Sequence, residues 1–155
     1  MAQDLGTFAR YTKGARIVVV KAQEEARATG HGQIEPGHLV LGLLHQPDML
    51  GVTTMAALGA SAETVRRVIT AALGTGPGSS EQFLPYAPMT AKALDLAAQT
   101  AQRLGHDWIG TEHLLLGVLS LDDVVTVGVL SGLGVMKSAA EQYIVRRIEE
   151  IRNGG

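Results

Sequence analysis

An all-α fold is predicted by three features of this 155-residue sequence: an internal duplication, apolar residues recurring at three- and four-residue steps, and glycine or proline where those runs stop. Shifting the chain against itself by 75 positions aligns Gly30-His31-Gly32-Gln33-Ile34 with Gly105-His106-Asp107-Trp108-Ile109. In the same register His38-Leu39-Val40-Leu41-Gly42-Leu43-Leu44 falls on His113-Leu114-Leu115-Leu116-Gly117-Val118-Leu119, and Leu58-Gly59 on Leu133-Gly134. Tyr11 meets Tyr86, Ala22 meets Ala97 and Ala26 meets Ala101, with no gap. Two tandem copies of one helical unit follow.

Each unit reads as four helices. Thr12 is suited to cap a helix that runs to about Thr29, with Ala15, Val18, Val19, Ala22 and Ala26 on one face and Gly30 as a left-handed stop. Ala93, Leu94, Ala97, Ala98 and Ala101 repeat that face, and Gly105 repeats the stop. The second helix begins after Ile34 or Ile109, with Pro36 fitted to a first turn and Thr111 to an N-cap. Its run is apolar nearly all round, which predicts the buried centre of each unit. A third helix over Gly51 to Leu58 and a fourth over Ser61 to Leu73 have counterparts at about Val124 to Gly132 and Lys137 to Arg152. Val124-Val125-Thr126-Val127 has strand propensity, but the repeat register requires a helix. The boundaries are therefore repeat one 8–73, a Gly/Ser/Pro-rich connector 74–88, flexible or extended and the segment least expected to be ordered, and repeat two 89–152.

Composition narrows the function. The chain is 46% hydrophobic and only 4% aromatic, so its core must be built from small aliphatic side chains. A formal charge of -2 lacks the clustered basic face that a nucleic-acid partner requires. No cysteine is present, which removes disulfides and thiolate metal sites and fits a reducing cytoplasm. Met1 to Arg10 holds no apolar run and does not read as a secretory signal; no stretch approaches the ~20 apolar residues of a membrane span. The expectation is a cytoplasmic protein with neither nucleic-acid nor membrane partners.

Catalytic and cofactor signals are weak. Gly132-Leu133-Gly134-Val135-Met136-Lys137-Ser138 ends like a phosphate loop but has Met136 where a glycine must precede the lysine. The histidines (His31, His38, His45, His106 and His113) form no metal-binding pair of the His-Glu-x-x-His kind. His38 and His113 at the start of an apolar helix suit neutral imidazoles bonded to backbone. No Gly-x-Ser-x-Gly elbow occurs, and Glu24, Glu25, Asp95, Glu149 and Glu150 read as solvated helix-surface carboxylates. Neither an enzyme nor a cofactor is expected.

The strings Ala22-Gln23-Glu24-Glu25-Ala26, Leu84-Pro85-Tyr86-Ala87-Pro88 and above all Gly105-His106-Asp107-Trp108-Ile109-Gly110-Thr111-Glu112-His113-Leu114-Leu115-Leu116-Gly117 resemble the double Clp repeat, the N-terminal domain of ClpA and ClpC unfoldases. The resemblance covers essentially Phe8 to Arg152. It implies a pseudo-twofold, eight-helix domain that recognises substrates and adaptors without catalysis. The chain would be either an excised domain or a stand-alone ClpC-like protein such as actinobacteria carry.

The resemblance also implies ligands: arginine-phosphorylated proteins, cyclic peptide antibiotics, and the Clp unfoldase, protease or adaptors as protein partners. For phosphoarginine, Thr111 and the free N–H groups of a helix start suit the phosphate, and Glu112 suits the guanidinium. The residues alone leave a second role open for Glu112, as a favourable charge at its own helix start. In the first unit Glu35-Pro36-Gly37 replaces Gly110-Thr111-Glu112, so one intact and one altered site are expected; whether Glu35 reaches the same point is left open by the sequence. Phe8, Arg16, Val19, Val20, Tyr86 and Lys92 mark, by resemblance, a surface for cyclic peptides and hydrophobic partners. From the residues alone, the scarce aromatics Phe8 and Tyr86 either line such a patch or staple helix ends.

Overall fold

The computed structural model describes residues 8–154; the segment Met1 to Thr7 of the leader reading lies outside the described residues. Among these residues, eight helices follow one another without a strand: α1 Lys13–Ala28, α2 Pro36–Leu43, α3 Leu50–Ala57, α4 Ala62–Leu73, α5 Pro88–Arg103, α6 Thr111–Leu119, α7 Thr126–Gly132 and α8 Lys137–Gly154. No helix among the described residues is long and apolar enough to cross a membrane.

Local chemistry sets the helix ends. The Thr12 hydroxyl accepts from the Ala15 N–H at 3.1 Å, and Ser61 caps α4 in the same way through Thr64. Gly30 and Gly105 close α1 and α5 with φ of 77° and 76°, which only glycine adopts without strain. Each is followed by a 6→1 bond, His31 N–H to Ala26 and His106 N–H to Ala101. Thr111 departs from expectation. The N-cap of α6 is Gly110, Thr111 is the first helical residue, and its hydroxyl accepts instead from the Gly51 N–H at 3.0 Å, tying α6 to α3 of the other unit. Val124 and Val125 form a turn before α7 rather than its first turn, because Asp123 takes the N–H groups of Val125 and Thr126.

Every residue of α2 and of α6 is buried. That burial requires close backbone approach, which Gly42 and Gly117 permit: a Cβ on Gly42 would lie 2.5 Å from the Val18 carbonyl oxygen, and one on Gly117 would meet the Ala93 carbonyl oxygen. The alanine-rich faces of α1 and α5 are therefore the surfaces against which the two central helices pack. A core of small side chains suits such short interhelical distances.

The units exchange their leading segments. Tyr11 forms a parallel bridge with Ile109, and Tyr86 one with Ile34, so each unit's segment before its first helix pairs with the other unit's loop. Thr12 N–H to Ile109 O (3.0 Å) and Ile109 N–H to Arg10 O (3.0 Å) recur as Ala87 N–H to Ile34 O (3.0 Å) and Ile34 N–H to Pro85 O (2.8 Å). All four partners match under the 75-residue shift. This reciprocity is that of a twofold interface within one chain.

Two sequence expectations change. The connector is extended but fastened to α1: Gly76 and Gly78 donate to Thr29 and Gly30, the Arg27 guanidinium donates to the Glu81 and Gln82 carbonyls, and Leu84 is buried. Glu25 is no solvated carboxylate, for Arg66 of α4 and His45 hold it at 3.1 and 2.7 Å. Burial pushes its pKa up, but these two partners outweigh burial and leave it lowered. In the second unit the polarity reverses, with Arg103 of α5 bound to Glu141 of α8 at 2.6 Å.

Candidate functional site

His38 and His113 are structural, and burial keeps both imidazoles neutral. His113 Nδ1 accepts the Gly110 N–H at 2.9 Å, so its proton sits on Nε2 and is donated to His106 Nδ1 at 2.8 Å. Burial, then the neighbouring His106, lowers the His113 pKa to about 3. In unit one His38 Nδ1 accepts from the Glu35 N–H at 2.9 Å, and burial lowers its pKa to about 4. There Thr29 stands between the rings, accepting from His38 at 3.2 Å and bonding His31 at 2.7 Å. These bonds fix the turns that open α6 and α2.

On the α6 turn the His106 ring stacks on Trp108, with centroids 4.5 Å apart and planes 11° from parallel. Arg152 of α8 has its guanidinium carbon 5.6 Å from the Trp108 ring centroid. The indole N–H donates to Glu112 Oε2 at 3.1 Å. Glu112 folds back across Gly110, where a Cβ would lie 2.9 Å from the carboxyl carbon, so the glycine supplies the space for the carboxylate. Thr111 and Glu112 are only 4% and 7% exposed.

Burial has not sealed them off. Both line a groove of 740 Å³ that runs between the units, with Lys13, Ile17 and Met49 on one side and Trp108, Ile151 and Arg152 on the other. A carboxylate offers about four acceptor sites, and Trp108 occupies one. Glu112 therefore keeps acceptor capacity toward the groove. The first-turn N–H groups of Thr111 and Glu112 have no carbonyl partner within their own helix, and Lys13 and Arg152 set two cations against one carboxylate.

A second groove, of 300 Å³, is its pseudo-twofold counterpart. Pro36, Leu73, Met89 and Val125 line it where Thr111, Ile148, Gly14 and Leu50 line the first, each 75 residues removed. Its chemistry has diverged. Gln33 replaces Trp108, Gly37 replaces Glu112 and Pro88 replaces Lys13; Glu35 and Asp123 line it with no lysine or arginine. Glu35 accepts from the Gln33 amide at 3.0 Å, and the Leu73 side chain closes over Gly37.

The other six predicted residues line neither groove. Phe8 packs edge-on against Tyr11, centroids 4.9 Å apart, and Tyr86 is half-buried at its bridge with Ile34. Arg16, Val19 and Val20 share a stripe of α1; Arg16 and Lys92 are exposed, Val20 is 56% exposed, and Val19 packs partly on the core. Sequence reasoning missed the roles of Trp108, Lys13, Met49 and Arg152. The solitary tryptophan was a usable signal. Nothing in the sequence placed Lys13 or Arg152 beside it, since they come from helices more than a hundred residues apart.

Comparison with known proteins agrees with this architecture. The family model of the Clp repeat N-terminal domain matches residues 10–133. The negative regulator of genetic competence ClpC/MecB of Bacillus subtilis (strain 168) is 33% identical over 147 residues, 95% of this chain; the match spans 18% of that protein's length. The N-domain of ClpV from Vibrio cholerae superposes with a TM-score of 0.78 at 14% identity, covering 91% of this chain and 86% of that one. A ClpV N-domain in complex with a VipB peptide superposes with a TM-score of 0.69 at 13% identity, covering 90% and 89%. The duplicated sequence, the reciprocal bridges and these matches lead to one conclusion: the chain belongs to the Clp repeat N-terminal domain family.

Proposed function

We propose that this chain is a non-catalytic recognition domain of the Clp proteolytic system that holds arginine-phosphorylated protein segments in the groove between its units. The observation that carries the reading is that Glu112, Lys13 and Arg152 line one groove of 740 Å³. Glu112 takes the guanidinium N–H groups as a charge-assisted pair. The α6 start, Thr111, Lys13 and Arg152 take the phosphate. The diverged groove, with Glu35 and Asp123 and neither lysine nor arginine, is poorly matched to a phosphate, so one site per chain is expected. That a ClpV N-domain forms a complex with a peptide supports peptide capture by this fold.

In the same reading the α1 stripe of Arg16, Val19 and Val20, with Phe8, Tyr86 and Lys92, serves cyclic peptide antibiotics and hydrophobic partners. The domain works in the cytoplasm, delivering ligands to a Clp unfoldase or withholding them from it. A calorimetric titration with free phosphoarginine tests the central claim. Glu112→Gln is expected to weaken binding at least tenfold and Glu35→Gln by less than twofold. Equal affinity in the Glu112 variant refutes it.

A second reading, a protein-docking module with vestigial ligand sites, draws on one observation, the closure of Leu73 over Gly37 in the smaller groove. A protein partner captured equally well with and without excess phosphoarginine favours it.

A further inference from the structure

We infer that the larger groove is bipartite, and that its ligand is an unfolded segment in which a bulky apolar residue stands within one or two positions of the phosphorylated arginine. This rests on the phosphoarginine reading and adds a specificity to it. Size is the first reason. An arginine side chain bearing a phosphate has about eleven non-hydrogen atoms; at the ~30 Å³ that a water molecule occupies, it fills less than half of 740 Å³.

The distribution of groups is the second. Glu112, Trp108, Thr111, Lys13 and Arg152 supply polar groups, as do Thr12 and Gln46, which are already bonded to the Ala15 N–H and the Gly14 carbonyl; the remaining lining includes Ile17, Met49, Leu50, Ile148 and Ile151, aliphatic side chains with no hydrogen-bonding function that a phosphate could use. A charged head alone leaves these surfaces wet.

Exposure is the third. Met49 is 43% exposed and Ile151 55%, one from each unit, both at the same groove. Large apolar side chains left in water on two sides of one cleft mark a surface that an apolar partner covers, and methionine adapts to varied partner shapes. Charge fixes the register of that partner. With the guanidinium on Glu112, an extended chain advances about 3.3 Å per residue, which brings an adjacent or next-but-one side chain over the aliphatic wall. Folded proteins bury such residues, so the site selects segments already unfolded.

Four ligands separate the possibilities by calorimetry: free phosphoarginine, two phosphoarginine peptides of equal length flanked by glycines or by leucines, and the leucine peptide without phosphate. The leucine phosphopeptide is expected to bind about tenfold to a hundredfold more tightly than the glycine one. Met49→Ser combined with Ile151→Ser is expected to reduce that ratio to about twofold, with an unchanged far-ultraviolet circular dichroism spectrum and cooperative unfolding certifying the fold. Equal binding of both phosphopeptides to the wild-type chain, with free phosphoarginine still bound, overturns the bipartite site and leaves the phosphoarginine reading standing. Failure of every phosphorylated ligand overturns both. A leucine peptide bound equally with and without phosphate shows an apolar groove alone and also overturns the proposal.

Discussion

Replacing Gly117 by alanine sets two effects of known size against each other. Alanine is favoured over glycine in a helix interior by about 1 kcal/mol, and φ at Gly117 is negative, so intrinsic propensity predicts a more stable protein. Packing predicts the reverse. The added Cβ would overlap the Ala93 carbonyl oxygen and lie 2.9 Å from the Ala97 nitrogen and 3.0 Å from the Ala97 Cβ. Two of these atoms are α5 backbone and cannot swing aside, so α5 and α6 must separate by roughly 0.5–1 Å to restore ordinary contact. Over-packing of a dense core costs about 1–3 kcal/mol, and separation leaves a gap that adds to it. The net expectation is a loss of about 1–2 kcal/mol, or ~3–6 °C in Tm for a domain of this size. Gly42→Ala, which meets the Val18 carbonyl oxygen and the Ala22 nitrogen, is expected to behave alike. Gly128→Ala in α7 meets nothing within 4 Å and is expected to gain about 0.5 kcal/mol. Urea unfolding followed by far-ultraviolet circular dichroism reads all three through the midpoint at constant m-value. Stabilisation by Gly117→Ala, or the same sign for Gly117→Ala and Gly128→Ala, refutes close backbone contact as the reason for the repeated glycine.

Acid should weaken the fold through its buried imidazoles. His113 and His38 titrate near 6.5 when unfolded and at about 3 and about 4 when folded, so the unfolded chain binds more protons between those limits. Their contribution is complete above pH 6.5 and is lost progressively as pH falls through that window; at pH 5 each is expected to cost about 1–2 kcal/mol. His113→Gln should flatten the acid limb of a stability profile, and an unchanged limb would show that the turn tolerates an imidazolium. Gly110→Ala should act on binding rather than folding. Its φ of -104° suits alanine, but the new methyl displaces the Glu112 carboxylate from the indole N–H. Phosphoarginine affinity is expected to fall about tenfold with Tm lowered by no more than ~3 °C; undiminished affinity would mean that the observed carboxylate position is not the binding one.

The sequence determined by itself what depends on neighbours along the chain and on periodicity. Thr12 and Ser61 as caps, Gly30 and Gly105 as stops and His38 and His113 as neutral acceptors were legible because each acts on backbone a few residues away. The 75-residue repeat fixed two helical units for the same reason. It overrode the strand propensity of Thr126 and Val127, which enter α7, while Val124 and Val125 form the turn before it. Only the tertiary structure decided what the units do to each other. It carried Thr111 from a cap to a cross-unit acceptor for Gly51, tethered the glycine-rich connector through Arg27 and Gln23, and moved Glu25 from solvent into a clasp with Arg66 and His45. It also assembled one groove from Lys13, Met49, Trp108, Glu112 and Arg152. Sequence spacing cannot report such encounters, because the exchange of leading segments between units brings together side chains whose only relation is a shared axis.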